Sequence, residues 1–321
     1  MNFAWKSIRR RFFTLTSEQT SFGRRGFRGG NGCIRQRLEN VGGAFVAGYN
    51  LAVEHGAPEV VGADLSAMEP GLRGFAFEGA AMGLALLDVL TPWRRDRIST
   101  FLRGAGDAHA YMVHVGIGWV WARMPFGFRR RQKKLDPLLG WLAFDGWGFH
   151  EGFFHWPKYI AGHPSPGKLS GYERRVFDQG LGRSFWFANG GDTELIAQTI
   201  SKYSAERQPD LWSGVGLAAT YAGIVSDASL CELREMAGSF RPQLAQGAAF
   251  AAKARERAGN LTDYNDLATG VLCGMSALEA ARLCDKTLEN LPANADVPAY
   301  EIWRRRIQNH FAPKPQLQAF K

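Results

Sequence analysis

Cysteine is scarce in this chain and has no pattern: Cys33, Cys231, Cys273 and Cys284 form neither a C-x-x-C pair nor a dense framework. That excludes a zinc ribbon and a disulfide-stapled secreted fold, and a reducing cytoplasm is the expected setting. Long hydrophobic runs are missing too. The longest, 75–90 and 111–124, are broken by Glu78, Asp88 and His114 and fall short of the roughly 20 residues that span a bilayer. The basic start, Lys6 to Arg11, meets Ser17-Glu18-Gln19 before a signal-peptide core can form. A soluble, cytoplasmic protein with no membrane span is expected.

Several signatures are absent as well. There is no G-x-x-x-x-G-K-[ST] loop, no H-E-x-x-H, no G-x-S-x-G and no aspartate-rich cyclase motif. The glycines of Gly146, Gly148 and Gly152 miss the G-x-G-x-x-G spacing and follow no strand pattern. His150 and His155 are five apart, off the i, i+4 spacing of a zinc helix. We therefore expect no cofactor and no metal. Strand alternation with hairpin turns is scarce, which leaves an all-α chain.

Glycine is abundant, with 38 residues, and it recurs in one outline. Anchors fall at Gly43, Gly79, Gly116, Gly146, Gly180, Gly214 and Gly247, at intervals of 36, 37, 30, 34, 34 and 33. Two residues after each anchor stand Phe45, Ala81, Gly118, Gly148, Gly182, Gly216 and Ala249; four after stand Ala47, Gly83, Val120, His150, Ser184, Ala218 and Ala251. Anchor and fourth position share a helix face. Each copy is then a helix with a groove of small residues that lets a neighbouring backbone come close. The expected fold is a helical-hairpin repeat, an α-solenoid or α/α toroid-like array of about seven repeats of 30–37 residues.

Around this lie a basic Gly/Arg-rich arm (1–36), the helical repeat domain (37–290) and a C-terminal helix with a proline-containing tail (291–321). The first repeat helix is read from Leu38 to Glu54, the second from Phe75 after a Glu69-Pro70-Gly71 turn, and Thr193 as an N-cap. The net charge of +9 is spread over short clusters, among them Arg24-Arg25, Arg94-Arg95 and Arg304 to Arg306. No zinc finger, RNA-recognition signature or basic zipper accompanies them, so solvated helix ends are favoured over a nucleic-acid partner.

The register allows residues far apart in sequence to be compared by face. Two before and five after the anchor share a face, which carries His114, Glu151 and Asp178 in consecutive copies. One before the anchor come Glu78, Asp145, Gln179, Ser213 and Gln246, and Arg183 interrupts an otherwise apolar column. His150 places an ionisable ring where other copies have small residues or valine. Glu78, His114, Asp145, His150, Glu151, Asp178 and Arg183 are thus the candidate catalytic set, with an aromatic wall of Trp119, Trp147, Phe149, Phe153, Phe185 and Trp186 as candidate substrate contacts. Carboxylates against aromatic walls have raised pKa values and those beside cations lowered ones, which separates acid from base roles. A purely structural polar seam that fixes helix register accounts for the same residues equally well.

Particular words of the repeats carry a resemblance: Gly74-Phe75-Ala76-Phe77-Glu78-Gly79, Tyr111-Met112-Val113-His114-Val115-Gly116, Asp145-Gly146-Trp147-Gly148-Phe149-His150-Glu151-Gly152, Phe177-Asp178-Gln179-Gly180-Leu181-Gly182-Arg183-Ser184 and Trp212-Ser213-Gly214-Val215-Gly216. Over about residues 8 to 310 the chain resembles the UnbL-type family, encoded in enediyne antibiotic gene clusters beside the iterative polyketide synthase. The resemblance implies a part in turning a polyketide-derived polyene into an enediyne core, and it brings no catalytic residue with it. The expected partner is a polyene or other hydrophobic intermediate held in the aromatic groove. The alternatives are a non-catalytic scaffold docking the polyketide synthase or its partner enzymes, and a cofactor-free cyclase or isomerase of a polyene or isoprenoid chain.

Overall fold

A computed structural model describes residues 9 to 313 apart from 92, 94, 95, 224, 293 and 294; the ends of the arm and tail, and Arg94-Arg95, lie outside the described residues. The described residues are all-helical, with no strand. A one-turn helix α1 (Phe22–Arg25) precedes α2 (Gly32–His55), α3 (Pro58–Ser66), α4 (Pro70–Leu90), α5 (Arg97–Arg103), α6 (Ala110–Arg123) and α7 (Phe128–Gln132). Then come α8 (Leu142–Phe154), α9 (Trp156–Gly162), α10 (Tyr172–Ala188), α11 (Thr193–Ser201), α12 (Gln208–Ala222), α13 (Asp227–Met236) and α14 (Arg241–Arg257). The chain closes with α15 (Asp263–Cys273), α16 (Ala277–Leu288) and α17 (Ala299–Phe311). No single helix among the described residues is long and apolar enough to cross a membrane.

Helix ends follow local chemistry. Asn31 caps α2 by accepting from the Ile34 amide, and Gly56 ends it in the left-handed region at φ 66°. The helix therefore starts six residues before Leu38. Pro70 is the first residue of α4, not part of a turn, because a first-turn proline has no amide to lose. Asp192, not Thr193, caps α11, accepting from Leu195, while the Thr193 hydroxyl donates to Glu232 at 2.6 Å.

The long helices α2, α4, α6, α8, α10, α12 and α14 pack each on the next, and glycine sets how closely. A β-carbon on Gly146 would stand 1.9 Å from the Val115 carbonyl oxygen; on Gly180, 1.7 Å from that of Asp145; on Gly214, 1.9 Å from that of Gln179; on Gly247, 1.9 Å from that of Ser213. In each case the acceptor is the residue just before the preceding helix's anchor. The glycines two further on make the reciprocal contact, Gly118 on Ala143, Gly148 on Phe177, Gly182 on Leu211 and Gly216 on Leu244. This register corrects the first anchor. Gly79 packs on the Phe45 carbonyl and Gly48 on that of Ala76, so Val46 occupies the anchor position, whereas a β-carbon on Gly43 would meet nothing within 4 Å.

Two further segments close the assembly. The end of α14 returns to α4, where Arg255 donates to the Gly71 carbonyl at 3.1 Å and Asn260 to that of Pro70 at 3.0 Å. Helix α17 buries Tyr300, Trp303 and Arg304. Arg304 pairs with Asp210 at 2.7 Å, and Asp210 also holds Arg175 at 2.9 Å, a buried network that clamps α17 to α12. The arm lies across the other helices as a strap. Asn50 both donates to and accepts from the Leu15 backbone at 2.8 Å, the Trp156 indole donates to the Arg25 carbonyl at 2.8 Å, and Arg28 is bonded to Ala188 and Asn189.

Candidate functional site

Side chains from α2, α4, α6, α8 and α10 meet under the strap around a cavity of about 20 Å³, room for about one water. Phe45, Phe75, Glu78, Trp119, Phe149, Phe153, Arg183 and Phe187 line it, with Thr20, Val41 and Gly42 on the strap side. The Trp119 indole donates to Glu78 Oε1 at 3.0 Å and lies 4.3 Å, centroid to centroid, from Phe45. Arg183 donates to Asp145, sits 3.9 Å from Glu78 Oε2 and stacks 4.8 Å above Phe149. Gln179 donates to Asp145 Oδ2 at 2.8 Å and approaches the Tyr300 hydroxyl at 3.2 Å.

The electrostatics separate the two carboxyls. Burial pushes Glu78 up to about 7, with Arg183 and the Trp119 hydrogen bond pulling the other way. Arg183 is fully buried, which lowers its pKa, but Asp145 and Glu78 outweigh burial and hold it charged. Arg183 is thus committed to Asp145, while Glu78 is poised to hold or release a proton near neutral pH. The Arg183 Nε is buried and has no hydrogen-bond partner among the described residues.

A second cluster adjoins the Trp119 ring. His150 is 5.5 Å from that indole and accepts from Arg123 Nε at Nε2, 3.1 Å. Its Nδ1 is 3.4 Å from Glu151 Oε1, and Glu151 accepts from the Tyr159 hydroxyl at 3.0 Å. Burial lowers the His150 pKa, so the ring is neutral. Burial raises that of Glu151, but His150, Tyr159 and His155 outweigh it and keep the carboxylate ionised. His150, Glu151 and His155 offer ligand atoms within 4.8 Å of one another. The fit to a metal is nevertheless poor. A guanidinium keeps its protons, so donation to Nε2 leaves the ring proton on Nδ1, the atom that faces Glu151.

Of the seven ionisable candidates, Glu78, Asp145 and Arg183 meet at one point, and Trp119, Phe149 and Phe153 form its wall. No hydrogen bond or ion pair among the described residues joins His114, Glu151 and Asp178. His114 Nδ1 contacts its own helix at the Ala110 carbonyl, 2.7 Å. Asp178 forms a bidentate pair with Arg207 at 2.5 and 2.8 Å. Trp147 packs edge-on against Phe128 at 5.2 Å, and Phe185 and Trp186 are wholly buried; none of the three lines the cavity. Reasoning from sequence missed Thr20, Phe45 and Phe75. Phe45 was within reach: with Val46 as anchor it stands in the same column as Glu78 and Asp145. Nothing local marks Thr20, which arrives by long-range docking of the strap. A larger open groove, about 610 Å³ between the strap and α2, contains none of the candidate residues.

A protein-family model described as "Protein of unknown function (DUF1702)" matches residues 4–311. No curated protein and no solved structure matches the chain.

Proposed function

Since the chain belongs to the DUF1702 family, whose function is unknown, we propose its role from its own site: a cytoplasmic protein of enediyne-type polyketide biosynthesis that handles a polyene intermediate at Glu78. The observation that carries this reading is a buried carboxyl, pushed up to about 7, on the wall of an aromatic cavity. Such a group is both donor and acceptor at neutral pH. Protonation of a polyene by Glu78 breaks its O–H bond, forms a C–H bond and leaves a delocalised cation, which the faces of Trp119, Phe45 and Phe149 stabilise. Return of a proton from a neighbouring carbon to Glu78 gives an isomer or cyclised product with no net change in composition. No cofactor enters the balance.

The wider architecture in this reading is a repeat of helical hairpins closed toward a toroid, supported by the recurring glycine contacts and by the return of α14 to α4. The test is product formation in a reconstituted pathway. Glu78→Gln should lower turnover by about a hundredfold or more while polyene binding persists; unchanged turnover removes Glu78 from the chemistry. A second reading, a scaffold that docks the synthase or partner enzymes, is favoured by the size of the cavity, which admits a water but not a carbon chain. A scaffold keeps both its partners in pull-down and the product titre when Glu78 is replaced.

A further inference from the structure

The segment from Met124 to Trp141 joins α6 to α8 and carries Arg129, Arg130, Arg131, Lys133 and Lys134 against a single acid, Asp136. It folds around one anchor. Phe128 is buried and meets the rings of Trp121, Phe144 and Trp147 at 6.0, 5.9 and 5.2 Å. Two residues earlier, Phe126 is 82% exposed. The turn beneath it is fixed from both sides, since Gly127 takes φ 66° and Arg131 donates to the Met124 and Phe126 carbonyls at 2.8 Å each. The backbone therefore holds a large apolar ring out in water, where it contributes no burial to the fold.

The loop before α10 completes this face. Arg129 pairs with both oxygens of Glu173 at 2.8 and 2.7 Å and donates to the Lys168 carbonyl at 2.7 Å. The Lys168 ammonium comes over the Phe126 ring, 5.4 Å from its centroid. Lys133 extends α7, its amide donating to the Arg129 carbonyl at 3.3 Å, so it follows Arg129 on the same side by one turn. The two acids are engaged, Glu173 by Arg129 and the Ser170 amide, and Asp136 by the amides of Leu138 and Leu139. Arg130, Lys133, Lys134 and Lys168 are exposed, and no ion pair reaches them among the described residues.

We propose that this face docks on the surface of an anionic lipid bilayer, with Phe126 entering the acyl boundary and Arg130, Lys133, Lys134 and Lys168 meeting phosphate head groups. An apolar tip flanked by uncompensated cations has the chemistry of an interfacial anchor, and head-group phosphates supply the missing countercharge. Phe126 projects from the surface, so it suits a partner that yields to it. Lys168 occupies one face of the ring, which disfavours base stacking and with it a nucleic-acid partner. The long lysine stem lets that ammonium stay at head-group level while the ring sinks. Attachment of this kind needs no spanning helix, and it is independent of the Glu78 reading: failure of either leaves the other standing.

Co-sedimentation of the full chain with large unilamellar vesicles tests the proposal, comparing phosphatidylcholine alone with phosphatidylcholine carrying about a third phosphatidylglycerol. Binding to the anionic vesicles should be about tenfold tighter or more and should weaken as salt is raised. Lys133→Ser combined with Lys134→Ser should weaken it by about fivefold for each cation. Phe126→Ser should weaken it by about tenfold, and Phe126→Trp should preserve it. Circular dichroism of these variants should match the wild type, because the replaced side chains are exposed. Equal binding to the two vesicle types, binding to neither, or wild-type affinity in Phe126→Ser overturns the proposal. Tighter binding to a single-stranded oligothymidylate than to anionic vesicles also overturns it and assigns the face to nucleic acid. If the double lysine variant does not fold, Phe126→Ser and the wild-type comparison decide.

Discussion

Replacing Glu78 with glutamine should change how stability depends on pH. Burial raises the Glu78 carboxyl from an ordinary 4.5 to about 7, so the folded protein holds this proton more tightly than the unfolded chain does. Its contribution is therefore fully present below pH 4.5, declines between 4.5 and 7 and is gone above that range, the reverse of a salt-bridged carboxylate. Between pH 5 and pH 8 the loss amounts to about 2 to 3 kcal/mol. Glutamine imitates the protonated acid, and its carbonyl can still accept from the Trp119 indole. Urea unfolding of wild type and variant at both pH values is the assay. The stability difference, variant minus wild type, should rise by about 2 to 3 kcal/mol from pH 5 to pH 8. Parallel pH profiles, within about 0.5 kcal/mol, would refute a neutral-range pKa and with it the proton-carrying role.

Three further outcomes follow from the packing. Gly180→Ala should cost about 3 kcal/mol or more in urea unfolding, since its β-carbon would stand 1.7 Å from the Asp145 carbonyl, while Gly43→Ala, with open space around it, should gain about 0.5 to 1 kcal/mol from helix propensity. Asp210→Ala leaves buried Arg304 with Glu301 at 3.6 Å as its remaining carboxylate and removes one of the two carboxylate partners of Arg175, and should cost about 3 kcal/mol by thermal or denaturant unfolding. His150→Ala should cost about 1 to 3 kcal/mol, because Arg123 loses its acceptor and Trp119 and Phe154 lose ring contacts, even though equivalent helices have small residues there; a melting temperature equal to wild type would show that the ring is dispensable to the fold.

Helices, their glycine periodicity and half of the site were legible from the sequence because they depend on local chemistry at a fixed spacing. Proline at position 70, asparagine at 31 and glycine at 56 act on their own helix ends. The column containing Glu78, Asp145, Gln179, Ser213 and Gln246 is buried and joined by hydrogen bonds between Gln179 and Asp145 and between Ser213 and Gln246. The face that was expected to converge did not, for a physical reason absent from periodicity. His114 bonds within its own helix to the Ala110 carbonyl, while Glu151 and Asp178 find partners from a short helix or connecting loop, Tyr159 on α9 and Arg207 just before α12, and periodicity in the long helices cannot place those segments. Docking of the arm was suggested by its phenylalanines, but which helices the strap and α17 reach was equally invisible, since Thr20 and Arg304 act on helices reached only through folding.

The packing and the site are one construction. Each anchor glycine rests on the carbonyl of the residue before the preceding anchor, and that same residue supplies the side chain of the buried row. Phe45, Glu78, Asp145, Gln179 and Ser213 thus owe their common level to the glycines that press on their backbones. Close approach brings Gln179 and Arg183, on one helix, within reach of Asp145 on the helix before, and Arg183 in turn near Glu78. Wider spacing would loosen Arg183 from Asp145, let water reach Glu78 and return its pKa toward the ordinary value. A methyl group added at Gly180 therefore acts on stability and on the Glu78 proton together, through the single carbonyl of Asp145.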